Sequence, residues 1–414
     1  AGAVRCWGEP LDADTRPDNV TAPARPAWLD ATTIPGLSAV SALALGDNFG
    51  CALTDPAAPS VRCFGNNQRR QLGPATPIAT TVALPTLAAA PDPWLALAAG
   101  AAFACAMSQT TLTCWGDNRR YQAGDPSGIP TAAPHPLDLG AATDLVGLAL
   151  GARHGCVRTR RGEVYCWGDN SRGQCASADP GGPALRRVPL DAPALHLAAG
   201  GDTTCATTAT TVWCWGDNSV GQLTPTPAPN PPMDPDLAFS TVPVAVALDP
   251  TTTSSPTCTS TPACTFCDPT CATPTRLVAG ADHTCAVFAD APPACWGHGG
   301  DGRLGRTDEP AYASPARAVF GPDLADLAAG GATTCALAAG VVVCGGALPS
   351  PNLSATALAV DVDRACAIEL SGAIACWGPS GAITRTTLGA APSQLALAGP
   401  STCAATSDGV TCWG

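Results

Sequence analysis

The sequence predicts an all-β protein, a β-propeller or solenoid built from repeated small antiparallel sheets. Gly and Pro account for 43 and 42 of the 414 residues. Either residue inside a helix costs about 1 to 3 kcal/mol, so a helical bundle is excluded. Sixteen of the 22 cysteines form closely spaced pairs, and a Cys-Trp-Gly motif recurs with a period near 50 residues. A period of that length with several strands per copy is typical of propellers and solenoids.

The cysteine pairs predict disulfides across β-hairpins. The members of each pair are 9 to 12 residues apart, whereas zinc sites place ligands about two to four residues apart in each half. Facing residues of an antiparallel pair have Cα atoms about 4.5 to 5.5 Å apart, a distance that a disulfide spans. The eight predicted disulfides are Cys51–Cys63, Cys105–Cys114, Cys156–Cys166, Cys205–Cys214, Cys285–Cys295, Cys335–Cys344, Cys366–Cys376 and Cys403–Cys412.

Each part of the repeat predicts a local structure. A strand of small residues, such as residues 97–100, precedes the cysteine pair and is predicted to lie innermost, where neighbouring backbones approach closely. The hairpin follows, and its Trp is predicted to pack between adjacent sheets. The Gly-Asp-Asn that comes next turns the chain back through Asx hydrogen bonds and residues that tolerate positive φ. Clear or worn copies of Cys-Trp-Gly-Asp-Asn begin at Cys6, Cys63, Cys114, Cys166, Cys214, Cys295, Cys344, Cys376 and Cys412.

These motifs together resemble the regulator of chromosome condensation repeat over nearly the whole chain. The matching elements are Ala-Ala-Gly-x-x-His-Thr-Cys-Ala, then Cys-Trp-Gly-Asp-Asn, and a Gln-Leu pair three residues later. The version with paired cysteines is similar to secreted bacterial members, distantly including the second β-lactamase inhibitor protein, which binds rather than catalyses. The resemblance implies a propeller of seven blades. The eight complete hairpins leave eight blades as the alternative.

We expect residues 1–414 to form a single propeller with two departures from the repeat. Residues 1–8 are predicted to be an orphan strand that either closes the ring or pairs with a neighbouring molecule. Residues 224–275 form an insertion rich in Pro, Thr and Cys. The last two periods, of 32 and 36 residues, predict thin blades with exposed edges.

Six cysteines lie outside the eight pairs. Two local disulfides are favoured over a zinc site for the four in the insertion, Cys258, Cys264, Cys267 and Cys271, because their spacing is irregular. Cys175 replaces the Leu of the Gly-Gln-Leu corner and is predicted to be a small buried residue. Cys6 either pairs with Cys175, or is free, or bonds to a neighbouring molecule.

The composition limits compartment and partners. All 21 basic residues are Arg, and 33 acidic residues give a net charge of −12. Nucleic acid is therefore an unfavourable partner. Lysine chemistry, including P-loop and Schiff-base sites, is excluded. No apolar stretch approaches the roughly 20 residues of a membrane span. The cysteine content predicts an oxidising compartment, and the start at Ala1 fits an exported, processed product.

No residue constellation predicts catalysis, a cofactor or a metal. His154 and His283 occupy one repeat position that other copies fill with Phe49 or Phe103, so a structural role is favoured. The repeated Asp117, Asp169 and Asp217 belong to separate copies and are predicted to cap turns rather than to form a pair of glycosidase carboxylates.

The predicted function is a secreted, non-enzymatic propeller that binds an extracellular protein or glycan. The alternative is a self-assembling filament or surface-layer subunit, in which residues 1–8 complete a sheet of the next copy. A hydrolase of unknown substrate is the third hypothesis.

Overall fold

The computed structural model describes most of the repeat units, and the statements below concern these residues only. They are residues 4–6, 32–34, 40–47, 49–54, 60–73, 92–223, 239–246, 274–288, 292–299, 301–305, 312–317, 320, 324–398, 401–406 and 409–413.

These residues form 31 β-strands and no helix. Two short strands come first, β1 (Val4–Cys6) and β2 (Thr32–Ile34). Blade 1 contains β3 (Val40–Gly46), β4 (Phe49–Thr54) and β5 (Ser60–Gly65). Blade 2 contains β6 (Ala96–Ala99), β7 (Phe103–Met107), β8 (Leu112–Gly116) and β9 (Thr131–Pro136). Blade 3 contains β10 (Leu145–Leu150), β11 (His154–Thr159), β12 (Val164–Asp169) and β13 (Gly181–Arg187).

Blades 4 to 8 continue the same pattern. Blade 4 contains β14 (His196–Gly200), β15 (Thr203–Thr207), β16 (Val212–Asp217) and β17 (Phe239–Val246). Blade 5 contains β18 (Pro274–Ala279), β19 (His283–Phe288), β20 (Ala294–His298) and β21 (Tyr312–Arg317). Blade 6 contains β22 (Leu324–Ala329), β23 (Thr333–Ala338) and β24 (Val341–Gly346). Blade 7 contains β25 (Ala355–Val360), β26 (Ala365–Glu369), β27 (Ile374–Trp377) and β28 (Ile383–Thr386). Blade 8 contains β29 (Pro392–Ala398), β30 (Ser401–Thr406) and β31 (Gly409–Trp413).

The strands form eight sheets arranged as a closed ring, and their strand pairs are antiparallel except for the β1–β31 pair of blade 8. The first strand of each blade contacts the first strand of the next, and β29 of blade 8 contacts β3 of blade 1. The fold is therefore an all-β propeller, as predicted. The ring has one sheet more than the seven that the resemblance implies, and its count equals the number of complete hairpins.

The centre of the ring explains why the first strands consist of small residues. A Cβ atom added to Gly200 of blade 4 would lie 2.1 Å from the carbonyl oxygen of Gly280 in blade 5. The same addition at Gly280 would come within 2.5 Å of the Gly330 oxygen in blade 6. Contacts this short exclude a side chain, so the predicted inner position of the Ala-Ala-Gly strand is confirmed.

Disulfides join the second and third strands of the blades. Seven of the predicted pairs are bonded, with Cα atoms 4.0 to 4.1 Å apart. In blade 8, Cys403 is disulfide-bonded and lies opposite Cys412 in the strand register. These staples suit a protein whose strands are rich in Ala and Thr and bury little apolar area.

The tryptophans of the repeat lie between blades, as predicted. The indole nitrogens of Trp115, Trp167 and Trp215 each donate a hydrogen bond to a backbone oxygen of the preceding blade, at 2.8 to 2.9 Å. The acceptors are the carbonyl oxygens of Gln71, Gln122 and Gln174. Each indole therefore links its own blade to the corner of its neighbour.

The prediction of thin late blades holds for blade 6 but is wrong for blade 7. Blade 6 has three strands, whereas blade 7 keeps β28 as a fourth. The edge of β24 is also less exposed than predicted. The Leu353 carbonyl oxygen accepts a hydrogen bond from the Val342 amide at 3.1 Å. The Ser350 hydroxyl accepts from the Cys344 amide and donates to its carbonyl oxygen. The chain thus covers this edge itself.

The two departures from the repeat are partly described. β1 pairs in parallel with β31 of the same chain, with Cys6 opposite Cys412 in the register. Within residues 224–275, β17 is the fourth strand of blade 4, so this segment is not a continuous insertion. The predicted disulfides of this segment lie outside the described residues. No helix able to span a membrane occurs in the described part of the chain.

Candidate functional site

The two ends of the propeller differ, and we name them by their loops. The corner face carries the hub loops, which join the first two strands of a blade, and the corners that follow the Cys-Trp-Gly motif. The hairpin face carries the turns between second and third strands. Hub loop and corner are bonded together: the amides of Asp117 and Asp169 donate to the carbonyl oxygens of Ala102 and Arg153 at 2.9 and 3.0 Å.

Buried Asn and Gln side chains hold the corners of blades 1 to 4 in one shape. In blade 2, Asn118 Oδ1 accepts a hydrogen bond from the Ala123 amide at 3.1 Å, and Gln122 Oε1 accepts from the Arg120 amide at 2.8 Å. Both side chains belong to residues that are at most 1% exposed. Equivalent bonds involve Asn67, Gln71, Asn170, Gln174, Asn218 and Gln222.

The repeated aspartates support these corners, and for two of them the predicted capping role is confirmed. Asp117 Oδ1 accepts from the Arg119 amide at 3.3 Å, and Asp169 Oδ1 accepts from the Ser171 amide at 3.0 Å. Asp217 instead bonds side chains of its own corner, Ser219 and Gln222.

Ion pairs connect neighbouring blades across the corner face. Arg153 Nε lies 3.1 Å from Asp169 Oδ2 in an ion pair without hydrogen-bond geometry, and its Nη2 donates to Asp202 of blade 4 at 3.3 Å. Gln174 Nε2 also donates to Asp202, at 3.1 Å. Arg172 Nη1 reaches Asp217 of blade 4 at 2.7 Å.

Blade 5 has the same arrangement with its acidic and basic positions inverted. Asp282 takes the place of Arg153, and His298 takes the place of Asp169, with 3.1 Å between His298 Nδ1 and Asp282 Oδ2. Arg303, in the position of Gln174, is 6% exposed and bonds both Asp282 and Asp301. Burial by itself would raise the pKa of Asp282, but the His283 ring 3.6 Å away, the charge of Arg303 and the hydrogen bond with His298 hold it well below its usual range.

The tips of the corners carry the variation among blades. We define the tip as the three residues before the corner Gln. These are Gln68, Arg69 and Arg70 in blade 1; Arg119, Arg120 and Tyr121 in blade 2; Ser171, Arg172 and Gly173 in blade 3; Ser219, Val220 and Gly221 in blade 4. Arginine thus occurs at the tips of three consecutive blades and is missing from the fourth.

The two histidines in the equivalent hub position have structural contacts, as predicted. His154 Nε2 lies 2.7 Å from Thr204 Oγ1 of the next blade, and His283 Nε2 lies 2.7 Å from Thr334 Oγ1. Burial lowers the pKa of His154 to about 4 and lowers that of His283. Both rings are therefore neutral near pH 7 and join adjacent blades.

Cys175 is free and buried, so the predicted alternative of a Cys6–Cys175 disulfide is wrong. Its amide donates to Asn170 Oδ1 at 2.7 Å, in the position that Leu223 holds in blade 4. Burial raises the pKa of the Cys175 thiol to about 12. A protonated, buried thiol is unreactive, which fits the predicted role as a small core residue.

The described residues contain no group of three or more His, Cys, Asp or Glu side chains placed to hold a metal ion. The sequence analysis missed two features of the corner face. The arginines of the tips could have been found, because they lie at one fixed distance from the corner Gln. The inverted pair of blade 5 was not visible, because its partners come from different strands.

The comparisons agree with this description. Residues 146–174 match the regulator of chromosome condensation (RCC1) repeat. A crystal structure of human WBSCR16 is similar with a TM-score of 0.60 and 15% identity, covering 96% of this chain and 93% of that one. Yeast RCC1 (Prp20) bound to Kap60 gives a TM-score of 0.58 and 17% identity, covering 91% and 80%. A comparison with curated protein sequences finds no significant match.

A further structure, Prp20p from Saccharomyces cerevisiae, was described with its binding properties to Gsp1p and histones. It gives a TM-score of 0.57 at 17% identity, covering 87% of this chain and 80% of that one. These identities support the fold alone. The class of protein that fold and corners define is a repeat β-propeller. Within that class, the chain is a propeller of RCC1-type repeats.

Proposed function

We propose that this protein is an extracellular, non-enzymatic binding module that binds a partner protein through its corner face. The observation that carries the proposal is the contrast between the tips and the buried Asn and Gln residues of the corners, which we call the frame. Buried Asn and Gln side chains hold the corners of four blades in the same shape, while the tip residues, half-buried in blade 1 and exposed in blade 2, change from blade to blade. A constant scaffold with variable surface loops is the usual arrangement of binding sites on repeat proteins.

The composition of this face favours a protein partner. Tyr121 and Ile129 are 37% and 65% exposed, and arginines lie beside them. Tyr and Arg are enriched at the centres of protein interfaces. The similar yeast propellers were described with protein partners, namely Kap60, Gsp1p and histones.

Two further observations support the extracellular and non-enzymatic parts of the proposal. Seven disulfides occur in the described residues, which suits an oxidising compartment. The buried histidines bond threonines, and the free thiol found among the described residues, Cys175, is protonated, so these groups are unsuited to acid-base or nucleophilic chemistry. The self-assembly alternative receives less support, because β1 already pairs with β31 of its own chain.

Photo-crosslinking from the two faces tests the proposal. A benzophenone amino acid replaces Ile129 on the corner face or, as the matched control, Leu370 on the hairpin face, which is 72% exposed. Each variant is incubated with the secreted proteins of its own source. We expect a discrete adduct with a second protein at position 129 only, and competition by unlabelled protein. Adducts with copies of this chain alone, or equal adducts from both faces, would contradict the proposal.

A further inference from the structure

We infer that the tips of blades 1 and 2 form one contact site for an acidic segment of the partner protein. This inference rests on the proposed function and names the surface and the chemistry of the partner. The site consists of Arg69 and Arg70 of blade 1 and Arg119, Arg120 and Tyr121 of blade 2. We call it the arginine–tyrosine tip.

The corner does not need arginine at these positions. The backbone amide of the tip residue two before the corner Gln donates to the Gln Oε1 atom in blades 1 to 4. In blade 3 this residue, Arg172, also bonds Asp217 through its side chain. Val220 occupies that position in blade 4 with the same hydrogen bond, at 2.9 Å. The side chains of Arg69 and Arg120 are therefore not required by the fold.

The backbone is strained at the tips of blades 1 and 2. The residue directly before the corner Gln has a left-handed backbone in every blade from 1 to 5. Blades 3, 4 and 5 place Gly173, Gly221 and Gly302 there, with φ of 75°, 77° and 82°. Blades 1 and 2 place Arg70 and Tyr121 there, with φ of 67° and 63°. Residues with side chains are disfavoured in this conformation. Strained residues are concentrated at functional sites, which points to a use for these two side chains.

The two tips belong to adjacent blades and both carry arginines. The Trp115 indole of blade 2 donates to the carbonyl oxygen of Gln71, the residue directly after the tip of blade 1, at 2.8 Å. Arg119 Nε donates to Asp117 at 2.9 Å. Burial raises the pKa of Asp117, and the positive charge of Arg69 from the neighbouring blade acts in the opposite direction. Within the described part of the chain, Arg69, Arg70 and Arg120 form no ion pair. At least three guanidinium groups thus keep their donors for a partner.

The tyrosine adds a rigid apolar contact. A Cβ atom built on Gly128 would lie 3.3 Å from Tyr121 Cε1, so the ring rests against the loop that follows its corner. Tyr121 is 37% exposed. An aromatic ring flanked by arginines is a common composition of protein-binding hot spots. Carboxylates match the forked geometry of guanidinium groups, so a segment rich in Asp or Glu is the complementary partner.

Fluorescence anisotropy with a labelled oligo-glutamate peptide as the probe tests this site. The unmodified protein should bind the peptide, and raising NaCl from about 50 to about 300 mM should weaken binding, because exposed charges are screened. The double variant R70G/Y121G introduces the residue that blades 3 to 5 use. We expect it to lose at least about tenfold in affinity while its melting temperature stays the same or rises, because the strain is removed.

Two further variants make the test specific. R69Q/R120Q should also weaken binding by at least about tenfold, since a single fully engaged charged contact contributes on that scale. R160Q/R161Q removes the same charge from the hairpin face and should leave binding unchanged. Equal loss in this control, or undiminished binding by R70G/Y121G, would overturn the inference.

The probes also separate this inference from the proposed function. Heparin and duplex DNA are tested in parallel with the peptide. Binding of either polymer without binding of the peptide would overturn the acidic-protein assignment. A crosslinked partner at position 129 together with no peptide binding would keep the binding face and refute the arginine–tyrosine tip as its acidic contact.

Discussion

The corners of blades 3 and 5 follow the same backbone path with opposite charges. In blade 3, Arg153 of the hub loop faces Asp169 of the corner, and in blade 5 Asp282 faces His298. The hub-to-corner hydrogen bond is 3.0 Å in both blades. Arg303 replaces the frame residue Gln174 and serves as the bridge in blade 5. The comparison teaches that the backbone path is conserved between blades, whereas the charges need only be complementary.

The largest expected effect breaks what the two blades share. Replacing both cysteines with Ala, as C156A/C166A in blade 3 or C285A/C295A in blade 5, should reduce the free energy of unfolding by about 2 to 4 kcal/mol. Both disulfides join residues 10 positions apart, so the two losses should be similar. Chemical denaturation of both variants measures this. A large difference between them would show that the blades do not share one frame.

A pH dependence should follow from the hub histidines that both blades contain. Burial holds the pKa of His154 at about 4, below the value of 6.5 for the exposed group. As pH falls below 6.5, the unfolded chain binds a proton that the folded chain excludes. Stability is therefore complete above pH 6.5, decreases as pH falls towards 4, and levels off below that, with a total loss of about 3 kcal/mol.

Replacing His154 with Phe, the residue that blade 2 has at position 103, tests this origin. H154F should flatten the decrease between pH 6.5 and 4 in denaturation curves recorded at several pH values. The paired variant H154F/T204A reproduces the combination found between blades 1 and 2. There Phe49 holds the position of His154, and Ala104 of the next blade holds the position of Thr204. An unchanged pH profile in both variants would assign the dependence to other groups.

Breaking the inverted network of blade 5 should have an intermediate effect. R303Q gives blade 5 the residue of blade 3 but leaves Asp282 and Asp301 without their shared cation. We expect a loss of about 2 kcal/mol, below the range for fully buried pairs because both carboxylates are partly exposed. The triple variant D282R/H298D/R303Q restores the blade 3 set and should recover part of the loss. No recovery would mean that complementary charge alone does not define the network.

The smallest effect is expected from the matching ion pair of blade 3. Arg153 is 43% exposed on its side chain, whereas Arg303 is 7% exposed. R153Q should therefore cost about 1 kcal/mol or less, and the cost should decrease with added salt. Thermal unfolding at low and high ionic strength measures it. A loss larger than that of R303Q would reverse the order inferred from exposure.

Local features could be predicted from single repeat copies. The cysteine pairs, the inner Ala-Ala-Gly strand and the Asp-Asn corner each depend on residues within about a dozen positions of one another. Their geometry follows from strand pairing and turn chemistry, so spacing was sufficient. The predictions that blade 7 is thin and that the edge of blade 6 is exposed were wrong. Period length does not tell whether a short connection forms a strand such as β28 or folds back as Ser350 and Leu353 do.

The candidate site was only partly readable in the same way. The arginines of the tips appear in the sequence, but their grouping depends on the packing of blade 2 against the corner of blade 1, where Trp115 bonds Gln71. The strain at Arg70 and Tyr121 becomes evident only when their φ angles are compared with those of the glycines in other blades. The charge inversion of blade 5 likewise requires that hub loop and corner be seen together.

The repeated motif, by itself, determined an all-β chain stapled hairpin by hairpin, because each staple and turn is an interaction between near neighbours. The tertiary structure decided that eight sheets close the ring and which side chains meet across blades. Those contacts join groups far apart in the chain, as with the 44 residues between Trp115 and Gln71. Their pairing depends on how the glycine-lined centre packs, which no single copy of the repeat encodes.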